Sequence, residues 1–232
     1  MRDHKEITLR SVEGFKTQLL DWAQQFEDIV WLDSNQYLQP HSSYDSILAV
    51  DAFTGIQTDS VNGFKKLKEY QSITNDWVFG YLSYDLKNDT EPLKSQNYDG
   101  LDFPDLCFFQ PKKIFLFKDN VLTIKYLNFI SDEFDTDLKS IKTFSIQNNP
   151  SHKNDIQIDS RISKKQYINK VSTLLSHIHR GDIYEANFCQ EFYAHADLNP
   201  LETYFKLNKI AKTPFATFFK NGDKFLLSSS PE

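Results

Sequence analysis

The chain has 232 residues, 40% hydrophobic and 15% aromatic, enough apolar surface for one sizeable core or two small ones and too much for a disordered polypeptide. Its 26 Lys and Arg against 32 Asp and Glu leave a formal net charge of −6, which excludes the basic footprint that nucleic acid or an anionic membrane would require. The opening residues lack an apolar leader core and no run reaches the ~20 apolar residues that cross a bilayer, so the expected compartment is the cytosol.

Phe15, Leu19, Trp22, Ala23 and Phe26 recur at helical spacing and predict an amphipathic helix packed on a sheet. An apolar strand follows from Ile29 to Leu32. Ser46 to Val50 and Trp77 to Tyr84 read as further strands on either side of a Lys-rich helical stretch from Phe64 to Tyr70. The aromatic bulk of the Trp77 segment places it centrally, and Gly80 is expected to let two sheets approach closely. Ile114 to Phe117 and Val121 to Tyr126 flank the polar turn Lys118-Asp119-Asn120 and make an antiparallel pair.

From Ser131 to about Ser160 the chain is polar, a short helix followed by a mobile connector. Its acids lack the glycine and closing glutamate of an EF-hand loop, so no calcium is assigned. Ser163 and Gln166 form a capping box for a helix with Tyr167, Ile168, Val171, Leu174, Leu175 and Ile178 on one face, stopping at Gly181. Asn199-Pro200 starts another helix, with Tyr204, Phe205, Leu207 and Ile210 at its apolar positions. Phe215 to Phe219, Asn221-Gly222 and Lys224 to Ser228 close the chain as a hairpin. The expected class is α+β, antiparallel β-sheets in a sandwich with flanking helices.

Cys107 and Cys189 form no close-spaced pair and are read as reduced, buried thiols. His177 and His179, two apart on a helix, cannot face one ligand, and no zinc site is expected. Glu232 follows Pro231 at the end of a predicted strand, where a rigidly held carboxylate can act as general acid or base; from position alone, a solvated surface acid is the better explanation. Glu185, just past a helix stop, likewise reads as an exposed acid, with Tyr184 and Asn187 as strand and turn positions. Core packing by itself accounts for the aromatics of Trp31-Leu-Asp-Ser34, Tyr44-Asp45 and Pro214-Phe215-Ala216.

Two motifs carry more than their separate residues. The helix ending in Gly181-Asp-Ile-Tyr184-x-x-Asn187-x-x-Gln190 and the strand ending in Ser229-Ser-Pro-Glu232 resemble the start of the domain shared by the chorismate-utilising enzymes. The likeness extends, more weakly, over nearly the whole chain. Within that family it resembles the aminodeoxychorismate synthase component I branch, with anthranilate synthase component I as the alternative. A non-catalytic module that binds tryptophan or an amidotransferase is the third reading.

The resemblance implies an anthranilate synthase component I-like fold divided at 1–150, its N-terminal region, and 151–232, the start of the chorismate-utilising domain, incomplete at its C-terminal end. It implies conversion of chorismate and ammonia to 4-amino-4-deoxychorismate in para-aminobenzoate and folate synthesis, with ammonia from a separate glutamine amidotransferase. Magnesium would be held by glutamates beyond Glu232, where a nucleophilic lysine would also lie, so residues 1–232 alone are expected to be inactive and marginally folded. Glu232 takes a proton-transfer role, and Tyr184, Glu185 and Asn187 contact substrate. Glu185 departs from the family pattern, since relatives that add ammonia carry Gln there and those that add water carry Lys. Ser34, Tyr44, Pro214 and Phe215 match segments that build a buried tryptophan pocket, and Gly80 to Asp85 matches an architectural segment.

Overall fold

A computed structural model describes residues 1–37, 43–144 and 156–231. In chain order the elements are β1 (Arg2–Thr8), α1 (Val12–Ala23), β2 (Asp28–Asp33), β3 (Ser46–Thr58), α2 (Gly63–Thr74), β4 (Phe79–Leu82), α3 (Lys87–Thr90), β5 (Leu106–Lys118), β6 (Val121–Leu127), α4 (Phe134–Thr143), β7 (Asp159–Ser160), α5 (Lys164–Arg180), β8 (Phe192–Tyr193), α6 (Pro200–Ile210), β9 (Phe215–Asn221) and β10 (Lys224–Ser230). They form two compact units, Met1–Asn148 with Pro200–Glu232, and Asn149–Asn199.

The first unit is organised by one antiparallel sheet of order β1-β6-β5-β3-β2-β9-β10, with β4 also paired to β5. The 13-residue strands β3 and β5 are its spine. Side chains alternate across it as the pleat requires: Phe115 and Phe117 enter one apolar cluster, Ile114 and Leu116 the other. The first cluster is closed by Leu19, Leu20 and Trp22 of α1, Leu138 and Ile141 of α4, and Leu201 and Tyr204 of α6. This is the α+β, antiparallel, helix-flanked class that the sequence predicts.

Several details depart from expectation. The Trp77 segment is not central: only Phe79–Leu82 is strand, and it pairs with β5 alone. Its aromatic bulk is accommodated by packing on Cys107 and Phe109. Gly80 relieves a contact within the sheet and not between sheets, because a Cβ there would lie 1.9 Å from the Cys107 carbonyl oxygen. Cys189 is exposed, whereas Cys107 is buried. Ile210 is 86% exposed. The closing hairpin turns at Gly222-Asp223, with Asn221 opposite Lys224 inside the ladder.

A charged edge strand, β1, escaped the sequence reading, as did the first half of β5, which holds Pro111. That proline pairs with Ala52 beside a register shift in β3, where Asp51 has φ 62°. A bulge is one of the few places where a sheet tolerates a residue without an N–H.

In the second unit, Ser163 and Gln166 exchange the expected capping-box bonds, and α5 ends at Gly181 with φ +80°. No residue of α5 is fully buried, so its apolar face is less enclosed than its periodicity predicts. β7 and β8 pair, fastened by an Arg161–Glu191 ion pair at 2.8 Å. The polar stretch after Ser131 continues into α4, and the connector expected beyond it falls largely on 145–155, outside the described residues.

Candidate functional site

The four residues expected to form a tryptophan pocket line one cavity of about 190 Å³ in the first unit. Ser34 is delivered by the end of β2, Tyr44 by the approach to β3, and Pro214 and Phe215 by the start of β9. These are neighbours because β2 lies between β3 and β9, with Asp33 opposite both Ser46 and Ala216. Leu32, Ile47 and Thr217 complete the apolar side, while Asp33 and Asp45 bring carboxylates to the wall.

Backbone and side-chain bonds fix this corner. The Ser34 N–H donates to the Asp45 carbonyl at 2.9 Å. The Asp33 carboxylate accepts from the Asn35 N–H at 2.9 Å and from the Ser46 hydroxyl at 3.2 Å. Asp45 accepts from the Asp119 N–H at 2.6 Å and Lys118 Nζ at 3.2 Å. The Tyr44 ring leans on Trp77, centroids 6.3 Å apart. Behind the site, Trp31 Nε1 donates to the buried Tyr204 hydroxyl at 3.0 Å. Burial, with Asp33 adding repulsion, pushes the Tyr204 phenol well above its ordinary value. The cavity is therefore preformed, with an aromatic side and an anionic side.

Tyr184, Glu185 and Asn187 lie in the second unit, in the irregular segment after α5, and all three are exposed, Tyr184 by 92%. The helix end before them is clamped by Asp182, whose carboxylate is 2.7 Å from His177 Nδ1 and paired with Arg180. Three residues beyond Asn187, the Gln190 amide oxygen is buried with no hydrogen-bond partner among the described residues, an acceptor left open within the motif. Glu232 lies outside the described residues; the strand leading to it, β10, is set through Ser230.

Among the described residues no group of three or more His, Cys, Asp or Glu side chains is placed to hold a metal ion. No described helix is long and apolar enough to cross a membrane.

Lys16 was missed at the sequence level. It is only 6% exposed, 5.9 Å from the centroids of Trp31 and Phe117. Its place among Phe15, Leu19 and Leu20 on the buried side of α1 was the available signal, since a lysine in an apolar stripe must find partners.

A family model described as chorismate binding enzyme matches residues 27–232. The chain is 28% identical over 180 residues to anthranilate synthase component 1 of Buchnera aphidicola subsp. Pemphigus spyrothecae, covering 72% of this chain and 34% of the relative. It is 25% identical over 213 residues to that of Saccharolobus solfataricus, covering 88% and 43%. To aminodeoxychorismate synthase component 1 of Escherichia coli it is 30% identical over 73 residues, covering 32% and 16%. The chain thus spans less than half the length of these relatives. The crystal structure of anthranilate synthase component I from Streptococcus pneumoniae shares the fold with a TM-score of 0.65 at 18% identity, over 84% of this chain and 52% of that one. The menaquinone-specific isochorismate synthase of Escherichia coli gives 0.52 at 12% identity, over 100% and 51%.

Proposed function

The chain belongs to the chorismate-binding enzyme family, and on that premise we propose that the protein aminates chorismate as the component I partner of a glutamine amidotransferase. The observation that carries this reading is the family match across 27–232 combined with the Gly-Asp-Ile-Tyr and Ser-Pro-Glu motifs at Gly181 and Ser230. Anthranilate synthase component I is the leading form, because alignments to such components cover 66% to 88% of the chain. That reverses the preference drawn from the motifs alone. Aminodeoxychorismate synthase component I is the second form, favoured by Tyr184 and Asn187 and by the local 30% identity.

In this proposal Glu232 handles the proton that accompanies departure of the ring hydroxyl, where a positioned carboxylate is worth about 10²- to 10⁴-fold in rate. Tyr184 and Asn187 contact substrate with Glu185 beside them, and the open Gln190 oxygen accepts a hydrogen bond there. Magnesium, when bound, would neutralise a carboxylate of chorismate. The cavity beside Ser34 is a regulatory or structural site for tryptophan, its ammonium near Asp33 and Asp45 and its indole against Tyr44 and Phe215.

The test is product identification. The natural full-length protein, given chorismate, ammonium and magnesium, is expected to form anthranilate, recognised by its fluorescence and mass. A mass equal to that of 4-amino-4-deoxychorismate instead selects the second form, and a hydroxylated product with no nitrogen overturns both.

A further inference from the structure

β1 stands at one end of the sheet, with β6 as its neighbour. The ladder shows which way its backbone points. The Leu9 N–H donates to the Asn120 carbonyl at 2.8 Å and the Asn128 N–H to the Met1 carbonyl at 3.3 Å, so the odd-numbered residues bond inward to β6. In an antiparallel strand the alternate residues then turn their N–H and C=O groups outward, which makes Arg2, His4, Glu6 and Thr8 the free edge. His4, Glu6 and Thr8 are exposed. None of the four makes a backbone bond on the outward side among the described residues.

Such an edge is a template for another strand, and charged side chains are the usual deterrent. Here the charges deter some registers and favour one. A second copy adding antiparallel about a two-fold axis must bring outward residues to outward residues, which places the axis on a residue of β1. At Arg2, Asp3, Lys5 or Glu6 the axis sets a charged residue against its own copy, and like charges directly opposite are destabilising. At Ile7 or Thr8 no opposite charges of the strand meet. At His4, Asp3 of each copy faces Lys5 of the other, and Arg2 faces Glu6. Arg2 is already engaged by Asp76 at 2.9 Å, so the Asp3–Lys5 pairs, formed twice by symmetry, carry the preference. Asp3 is exposed and has no ion pair among the described residues. Lys5 holds Asp135 at 2.6 Å with its side chain still 37% exposed, and its ammonium has further N–H groups to donate. The opposite edge, β10, has Lys224 as its one charge and no such pattern.

We propose that β1 pairs with β1 of a second copy of this chain, centred on His4, joining two sheets into one and making the protein a concentration-dependent homodimer. The pairing stands independently of the reaction assigned to the protein. Analytical ultracentrifugation of the natural full-length protein over a dilution series is expected to show a reversible monomer–dimer equilibrium. Asp3→Lys, at an exposed and unpaired position, replaces two attractions by two repulsions and should weaken the dimer at least ~10-fold, in keeping with the ~0.2–1 kcal/mol of each cross-strand pair. Lys5→Glu should act likewise, and an equal mixture of the two variants should recover association as a heterodimer, because both facing pairs are again of opposite sign. The register is read separately, in a Cys189→Ser background that removes the exposed thiol. There His4→Cys should form an interchain disulfide on mild oxidation, since its two Cα atoms would lie about 5.5 Å apart in a hydrogen-bonded pair, whereas Thr8→Cys should not. A monomer at every concentration, a dimer undiminished by Asp3→Lys, a mixture no better associated than either variant alone, or cross-linking of Thr8→Cys as readily as His4→Cys overturns the proposal.

Discussion

Thr213 and Ser229 meet hydroxyl to hydroxyl at 2.8 Å, joining the turn that precedes β9 to β10, the strand that leads to Glu232. The Ser229 hydroxyl donates its one proton to the Ala211 carbonyl, so Thr213 is the donor to Ser229. The Thr213 carbonyl in turn accepts from Asn35 Nδ2 at 2.6 Å, and Asn35 also donates to Asn208 at 2.8 Å. One bonded chain thus runs from the end of β2 through the α6–β9 turn to β10. Ser229→Ala leaves a hydroxyl and a carbonyl unpaired and is expected to cost about 1–2 kcal/mol of stability. Denaturant unfolding with an unchanged midpoint would contradict the importance of this tie.

Gly80 faces a harder constraint. A Cβ there would sit 1.9 Å from Cys107 O and 2.6 Å from Phe108 Cα, both backbone atoms. Gly80→Ala must push β4 off β5, at the upper end of the roughly 1–3 kcal/mol typical of overpacking. Hydrogen exchange should show the amides of residues 79–82 losing protection first. A wild-type melting temperature in this variant would refute the geometry.

Stability should fall away on both sides of a broad pH plateau. Burial alone would raise Asp76, but hydrogen bonds from Arg2 at 2.9 Å and Gln110 at 2.8 Å, with the Trp77 N–H, hold it below its ordinary 3.8. A carboxyl depressed on folding contributes its full stability above pH 3.8 and loses it as pH falls below. Burial, reinforced by Asp137, pushes the Tyr126 phenol far above its ordinary 10.0. A phenol raised on folding contributes fully below pH 10.0 and loses that contribution as pH climbs. Asp76→Asn should flatten the acid limb and Tyr126→Phe the alkaline limb in pH-dependent melting; variants that leave both limbs unchanged would show the assignment to be wrong.

Tryptophan should bind beside Ser34. Phe215→Ala removes an aromatic wall and is expected to weaken binding about 10-fold, in line with the ~0.5–1.5 kcal/mol of a ring contact plus lost apolar area. Titration calorimetry at millimolar tryptophan with no heat from the unmodified protein would remove this ligand.

Where the determinants were local, the sequence was readable. The capping box at Ser163 and Gln166, the glycine stop at Gly181 and the hairpins β5–β6 and β9–β10 need only a few neighbouring residues. β1 was hidden because Arg2, Asp3, His4 and Lys5 suggest no strand, and its partner β6 lies more than a hundred residues away, Arg2 opposite Leu127. The first half of β5 was hidden by Gln110-Pro111-Lys112-Lys113, whose charges are resolved by distant acids, Lys112 by Asp51 and Lys113 by Glu133 and Asp137. Family resemblance grouped Ser34, Tyr44, Pro214 and Phe215, and these four line one cavity. The burial of Lys16 was not legible, since its partner Asp33 comes from another element, β2.

Chorismate consumption by the natural full-length protein with ammonium, wild type beside Glu232→Gln, tests the central claim most directly. Turnover to an aminated product, reduced at least ~100-fold in the variant as removal of a general acid or base requires, is the predicted result. Chorismate left intact by the wild-type protein, or turned over equally by Glu232→Gln, would contradict it.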